Sequence, residues 1–362
     1  MNFKNLSCDK IELYKQMGIE FSKGTIGKVK TEILSAKKIV ITTHHNPDGD
    51  AIGSILGLMH SLKLAGINSE VISSNGLPAF LEWMPGADKI IKFSHKPDVV
   101  KQLFAEADLV FCLDFNGYSR TEKMEEVLEK TPAKKILIDH HPNPESPFDY
   151  YFSETRVSST AELVYEFVTH IFGEQAVNKD AAICLYVGIM TDTGSFSYAC
   201  SRKRTFQIAG ELVEKGVVVD TVQSLVYNNF SSSRMQMLGY CLVEKMKVMS
   251  EHKTAYIWLT KDEMKRFAYQ VGDTEGFVNY PLSIKGIVFS VLFTENDGFV
   301  KVSLRSRGSF PVNEFSKKYY NGGGHTNAAG GKSFENMEST IIHFEEMLNQ
   351  YSEQLNQSEL QL

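Results

Sequence analysis

Ile39-Val40-Ile41-Thr42-Thr43-His44-His45-Asn46-Pro47-Asp48-Gly49-Asp50-Ala51-Ile52-Gly53-Ser54 changes character halfway along. Its first five residues are all β-branched, as expected of a strand buried on both faces. Ile52, Ile55, Leu56 and Met59 then recur at helical spacing. A strand therefore runs directly into a helix, and the turn between them carries one imidazole, His44, and two carboxylates, Asp48 and Asp50. Pro47 stiffens that turn, and Gly49 is expected to let it bend sharply. Imidazole and carboxylate together suit a divalent cation. The same residues would also make an ordinary Asx-rich turn before a capped helix, so the rest of the chain has to decide.

Working outward, the run Leu109–Leu113 ends at Asp114, and the run Ile136–Ile138 ends at Asp139-His140-His141. Val71-Ile72 supplies a further short apolar run, and helical or mixed polar stretches separate all of these. The fold class read from this alternation is α/β, an open, mostly parallel sheet with helices on both faces. Ligands of such sheets bind beyond the carboxyl ends of the strands. Three separate strands thus bring His and Asp to one edge, which a set of unrelated turn residues would not do. A fourth contribution comes from residues 179–191, which read as a mostly buried helix ending at Asp192. A carboxylate there opposes the negative end of the helix dipole, and a bound cation would relieve that conflict. Gly53 and Gly57, one helical turn apart, are expected to allow close helix–strand packing.

The composition bounds the alternatives. At 362 residues the chain is too long for one ordinary core, so two domains are expected. The hydrophobic fraction of 43% and the charged fraction of 23% are globular values. No stretch approaches the roughly 18 apolar residues of a membrane span, and no signal-peptide pattern opens the chain. The five cysteines are scattered and form no CxxC, which points to reduced thiols and a cytoplasmic location. A net charge of -6 does not fit a protein that coats long nucleic acid.

The motifs His44-x-x-Pro47-Asp48-Gly49-Asp50-Ala51, Asp114, Asp139-His140-His141 and Asp192 resemble, in content and order, those of the DHH phosphoesterases. Near the C-terminus, Gly322-Gly323-Gly324-His325-Thr326-Asn327-Ala328-Ala329-Gly330-Gly331 resembles the signature of the associated DHHA1 domain, together with Leu304-Arg305-Ser306. The branch most similar in pattern is that of the short-oligoribonucleotide nucleases that are also phosphatases of 3'-phosphoadenosine 5'-phosphate (pAp). The resemblance implies two divalent ions, generally manganese. His44, Asp48 and Asp114 would hold one ion. Asp50, Asp114, His140 and Asp192 would hold the other, with Asp114 bridging. On charge, four carboxylates balance two divalent cations, although zinc, iron or cobalt would also accept such ligands. Paired metals suit phosphoryl chemistry because they neutralise charge developing on phosphate oxygens. His141 is expected either to contact the substrate phosphate or leaving oxygen or to support His140, and Asp139 to partner an imidazole. Arg120, six residues beyond Asp114, is a candidate phosphate contact, with a solvated arginine as the plainer alternative.

The domain boundaries follow. Residues 1–230 are expected to form the dimetal domain, with a helical and chemically silent start over 1–37. Residues 231–243 would be a linker helix, 244–349 a smaller α+β substrate-binding domain with its active site in the cleft between the two, and 350–362 a frayed polar tail. Asn296-Asp297-Gly298 marks a hairpin in the second domain. Arg305 lies at a strand end. Gly322, Gly323, Gly324 and His325 are expected to offer bare amides before a helix, as an anion cradle. Ser159 and Glu162 have capping-box spacing. The expected partners are short RNA oligonucleotides and nucleotides such as pAp, with no membrane and with room for a homodimer. The alternatives are a linear or cyclic dinucleotide phosphodiesterase, an exopolyphosphatase-like hydrolase, or a nucleotide-sensing module without catalysis.

Overall fold

The apolar runs become central strands in the computed structural model, which describes residues 21–145 and 147–358. By inter-residue contacts the chain divides after Asn229. In the first unit β1 (Ile39–Thr43), β2 (Glu70–Ser73), β3 (Ile91–Lys92), β4 (Leu109–Leu113), β5 (Lys134–Asp139) and β6 (Tyr150–Ser153) form one sheet in the order β3-β2-β1-β4-β5-β6. Every pairing in it is parallel. The short strands β3 and β6 escape a sequence reading because neither carries a sustained apolar run. The helices of this unit are α1 (Lys23–Ser35), α2 (Gly49–Leu64), α3 (Pro97–Glu106), α4 (Glu125–Lys130), α5 (Thr160–Phe172), α6 (Lys179–Asp192), α7 (Lys203–Glu214) and α8 (Val219–Tyr227). The part of the expected N-terminal helical stretch before Phe21 lies outside the described residues.

The strands read as uninterrupted apolar runs because both faces are covered. Ile39, Ile41, Leu109, Phe111, Leu113 and Ile138 pack with residues of α2, α5 and α6. Val40, Val110, Cys112 and Leu137 point the other way, onto Val100 and Phe104 of α3 and Leu128 of α4. The strand order reverses between β1 and β4, so the chain leaves the carboxyl ends of these neighbours in opposite directions. That switch point opens the crevice in which sheets of this kind bind ligands.

Helix α2 is buried along nearly its whole length, and its glycines serve a neighbouring helix, not a strand. A Cβ at Gly53 would stand 2.5 Å from the Cys184 carbonyl oxygen, and one at Gly57 2.5 Å from Leu185 Cδ2, both on α6. Gly49 is likewise required by contact: its Cβ would meet Thr191 Oγ1 at 2.3 Å. Residues four apart share a helix face, so Gly49, Gly53 and Gly57 form a small-residue stripe that lets α2 and α6 approach backbone to backbone. This replaces both the sharp bend expected at Gly49 and the helix–strand contact expected at Gly53 and Gly57.

The second unit begins with α9 (Ser232–Glu244), whose Met237, Leu238 and Cys241 are buried with Ile257 and Leu259 of that unit's sheet. The remaining elements are β7 (Met246–Met249), β8 (Thr254–Leu259), α10 (Lys261–Arg266), β9 (Phe289–Asn296), β10 (Phe299–Ser306), α11 (Val312–Tyr319), β11 (Gly323–His325), β12 (Ala328–Ser333), α12 (Met337–Leu348) and α13 (Ser352–Gln357). The sheet order is β11-β12-β10-β9-β8-β7, parallel only between β8 and β9. Asp297-Gly298 closes the β9–β10 hairpin, with Gly298 at φ 81°. Of the segment expected as a frayed tail, Ser352–Gln357 form α13, pinned by the fully buried Leu355, and residues 359–362 lie outside the described residues.

Candidate metal centre

The centre is built where β1, β4 and β5 end. His44 follows β1 and is buried, with Nδ1 2.9 Å from the carbonyl oxygen of His45. A carbonyl only accepts, so Nδ1 carries the proton and the Nε2 lone pair faces Asp114 Oδ2 at 3.5 Å. His45, its neighbour, is directed elsewhere, with Nδ1 2.7 Å from Ser74 Oγ. Asp48 caps α2 by accepting the Ala51 amide at 3.0 Å. Asp50, in the first turn of α2, is 1% exposed. Its two oxygens accept the amides of Thr160 at 2.7 Å and Ala161 at 2.8 Å, so it sits against the positive N-terminal end of α5.

Asp114 follows β4 with φ +65°, a left-handed conformation uncommon outside glycine that aspartate tolerates better than most residues. Its amide donates to the Ile138 carbonyl at 3.2 Å, and its Oδ1 accepts the Thr160 hydroxyl at 2.8 Å. After β5, His140 Nε2 lies 3.8 Å from Asp50 Oδ2, 3.7 Å from Asp114 Oδ1 and 3.4 Å from Asp192 Oδ2. Asp192 is the last residue of α6, with its carboxylate at the negative end of that helix. The structure thus brings His44, Asp48, Asp50, Asp114, His140 and Asp192 together from four stretches of chain. Among the groups whose ligand atoms lie within 4.8 Å of one another are His44, Asp48 and Asp114; Asp50, His140 and Asp192; and Asp114, Asp139 and His141.

Such crowding has an electrostatic cost. Burial, then the neighbouring carboxylates of Asp114 and Asp48, push the Asp50 carboxyl well above its usual range. Burial, then Asp48, Asp139 and Asp192, do the same to Asp114. Burial holds the His44 imidazole below its usual range, so it stands neutral and able to ligate. Two buried carboxylates that repel their acidic neighbours, Asp50 and Asp114, set beside the His44 and His140 imidazoles, form a donor set that fits divalent cations of manganese type.

His141 is hydrogen-bonded to Asp139, and its ring packs edge-on against that of His140 with centroids 4.9 Å apart. Its Nδ1 is 2.7 Å from Asp139 Oδ1, which orients the ring and leaves Nε2 on the opposite side. Burial, with the Arg120 charge adding to it, lowers His141 to about 3, and burial raises Asp139 to about 6. Asp139 Oδ2 is buried with no hydrogen-bond partner among the described residues. Arg120 is half-buried, and its positive charge reaches both His44 and His141.

Two residues of this centre escape a reading of the sequence. Thr160 binds Asp50 through its amide and Asp114 through its hydroxyl. The Ser158-Ser159-Thr160 cluster was its only local signal, and that cluster also reads as a simple cap. Ser159 does cap α5, accepting the Glu162 amide at 3.1 Å. The reciprocal half of the expected capping box is missing, because the Glu162 carboxylate turns to Ser158, Thr205 and Arg202. Gly188 is the second: a Cβ there would stand 2.9 Å from Asp50 Oδ1 and 2.5 Å from Ala161 Cβ. Its place four residues before Asp192, on the same helix face, was the available clue.

In the second unit the glycine-rich stretch is a hairpin, not a loop before a helix. Gly323, Gly324 and His325 form the edge strand β11, paired with Gly330, Ala329 and Ala328. A Cβ at Gly322 would meet the Gly330 carbonyl at 2.0 Å, and one at Gly324 the Ala328 carbonyl at 2.4 Å. Backbone crowding within the hairpin therefore demands these glycines. Ala328 also pairs with Arg305 on β10. Directly paired residues share a sheet face, so Arg305 and His325 flank the small Ala328, about 10 Å apart.

Two family models match the chain: the DHH family, N-terminal domain, over residues 38–189, and the DHHA1 domain over residues 255–357. The crystal structure of an exopolyphosphatase-related protein from Bacteroides fragilis superposes with a TM-score of 0.89 at 40% identity, covering 94% of this chain and all of that one. The chain belongs to the DHH/DHHA1 phosphoesterase family. Among its DHH/DHHA1 relatives is the bifunctional oligoribonuclease and PAP phosphatase NrnA of Bacillus subtilis, 27% identical across 84% of this chain and 94% of its own length. The protein of the same name from Thermus thermophilus is 29% identical across 84% of this chain and 87% of its own length.

Proposed function

We propose that this phosphoesterase depends on two divalent ions, preferentially manganese, and hydrolyses short oligoribonucleotides to nucleoside monophosphates and pAp to AMP. One observation carries the metal dependence: two groups of carboxylate and imidazole ligand atoms gather within 4.8 Å, and the buried carboxyls among them, Asp50 and Asp114, are pushed up by burial and by their acidic neighbours. His44, Asp48 and Asp114 would hold one ion, and Asp50, Asp114, His140 and Asp192 the other. When bound, the ions supply Lewis-acid stabilisation of charge developing on the phosphate oxygens.

The chain's own residues do the rest. The α5 amides hold Asp50 and the Thr160 hydroxyl holds Asp114, so neither carboxylate has to be ordered when substrate arrives. Asp139 keeps the His141 proton on Nδ1, so Nε2 presents its lone pair as a hydrogen-bond acceptor that would orient a hydroxyl or water at the phosphate. Arg120 supplies a positive charge for a phosphate oxygen. In the second unit Arg305 and His325, on either side of Ala328, would hold one nucleotide. The chain offers few cationic contacts and carries a net charge of -6, which favours short substrates over long RNA. No helix among the described residues is long and apolar enough to cross a membrane, and four buried free cysteines fit a reducing cytoplasm.

The test is kcat/KM with manganese on a dinucleotide, pAp, a cyclic dinucleotide, inorganic polyphosphate and a long RNA, with Asp114→Ala as control. The dinucleotide and pAp should lead, and Asp114→Ala should lose both turnover and bound metal. A highest value on the long RNA, the cyclic dinucleotide or polyphosphate, or turnover that survives Asp114→Ala, would sink the proposal.

A further inference from the structure

Helix α6 delivers Asp192, and the segment after it is built to present an aromatic ring. The amides of Gly194, Ser195, Ser197 and Tyr198 donate to the carbonyls of Thr191, Met190 and Thr193, at 2.7 to 3.2 Å. The Thr193 hydroxyl donates to the Ile189 carbonyl at 2.7 Å and accepts the Phe196 amide at 3.0 Å. Gln223 donates to the Ser195 hydroxyl. Phe196 rests on Tyr186 and Phe206, with ring centroids 5.8 Å away in each case. The backbone is strained to reach this shape: after Gly194 at φ 52°, Ser195 and Phe196 are also left-handed, at φ 59° and 62°.

This pinned turn places Tyr198. A Cβ at Gly194 would stand 2.2 Å from Tyr198 Cε1, so the ring lies directly over the Gly194 backbone. The residue is nevertheless 49% exposed. Gly194 is two residues from Asp192, at most roughly 7 Å of chain. A flat, rigidly held, half-open ring thus stands at the same helix end as a candidate metal ligand.

We propose that Tyr198 is the stacking platform for a base of the substrate nucleotide whose phosphate is held at the His/Asp centre. The inference rests on the nucleotide substrate proposed above. Every base has a π-face, so a single ring at the centre binds nucleotides without choosing among them. Loss of one base–aromatic stack reduces affinity by a factor of roughly 5 to 150.

The experiment uses the full chain with manganese and compares AMP with ribose 5-phosphate by titration calorimetry, so it requires no turnover. The wild type should bind AMP more tightly than ribose 5-phosphate. Tyr198→Leu, which keeps apolar cover over Gly194, should lose AMP affinity about tenfold or more while ribose 5-phosphate stays within about twofold. Tyr198→Phe should retain both. Equal binding of the two ligands by the wild type, an unchanged AMP affinity in Tyr198→Leu, or a parallel loss of both ligands would each overturn the proposal. Failure of the proposed function would appear separately, as a wild-type protein that leaves the dinucleotide intact.

Discussion

Thr160→Val tests whether the centre is held by a hydroxyl that contacts no substrate in the proposed scheme. The substitution keeps the side-chain shape and leaves the Thr160 amide on Asp50 untouched. It removes the bond to Asp114 Oδ1, which is 2.8 Å long and fully buried. A methyl in that place would crowd an oxygen that tolerates carbon at roughly 3.3 Å, so Asp114 has to retreat by about half an ångström. A hydrogen bond to a buried charged group is worth roughly 1.5–3 kcal/mol, a factor of about 10 to 150 in an equilibrium. Loss of a residue that orients a metal ligand typically costs about 10- to 100-fold in affinity or activity. The two estimates agree, and we expect manganese to bind the Val variant about 10- to 100-fold more weakly. The assay is calorimetric titration of manganese, with kcat on a dinucleotide and a thermal melt to confirm folding. Thr160→Ser restores the hydroxyl and should bind within about threefold of wild type. If Thr160→Val binds manganese and turns over substrate like wild type, Asp114 does not need the hydroxyl and the argument fails. If Thr160→Ser is as impaired as Val, the methyl group's packing matters instead.

Arg305→Ala should raise KM for dinucleotides with kcat largely kept, since Arg305 is proposed to bind substrate and lies outside the candidate metal centre; a collapsed kcat at unchanged KM would move it into the catalytic machinery. Acid stability should carry a signature of Glu263. Burial pushes its carboxyl up, but the Lys245 ammonium at 2.7 Å, the Thr260 amide and the Tyr240 hydroxyl outweigh this and hold it at about 2. Its folded value is depressed below the unfolded one, so its contribution is present above about pH 4.5 and is lost as pH falls towards 2, on the order of 2 kcal/mol. Urea melts of wild type and Glu263→Gln should therefore converge between pH 6 and pH 3, and a constant gap across that range would count against the ion-pair account.

The residues of the candidate centre were legible because each sits at a feature that local pattern marks. His44, Asp114 and His140 stand where uninterrupted apolar runs stop, and Asp192 stands where a buried helix stops. A parallel sheet covered on both faces leaves only its strand ends for polar chemistry, so a one-dimensional pattern already says which side chains gather. In the second unit, the turn Asp297-Gly298 and the alternating strands around it were readable for the same local reason.

Pairwise partnership was not readable, because it depends on contacts remote in sequence. Asp50 meets the Thr160 amide across 110 residues, and Thr160 meets Asp114 across 46. Nothing near Thr160 distinguishes a helix-capping neighbour from a support for a ligand. The glycines teach the same lesson: Gly53 and Gly57 were visible as a small-residue face, but only the packed structure shows that α6 fills it. Gly322 and Gly324 likewise looked like an anion cradle, whereas the hairpin carbonyls leave no space for a Cβ there. Short-range periodicity determines which face of an element is buried. Which element covers that face, and so which carboxylate is held by which donor, is decided only when the chain is packed.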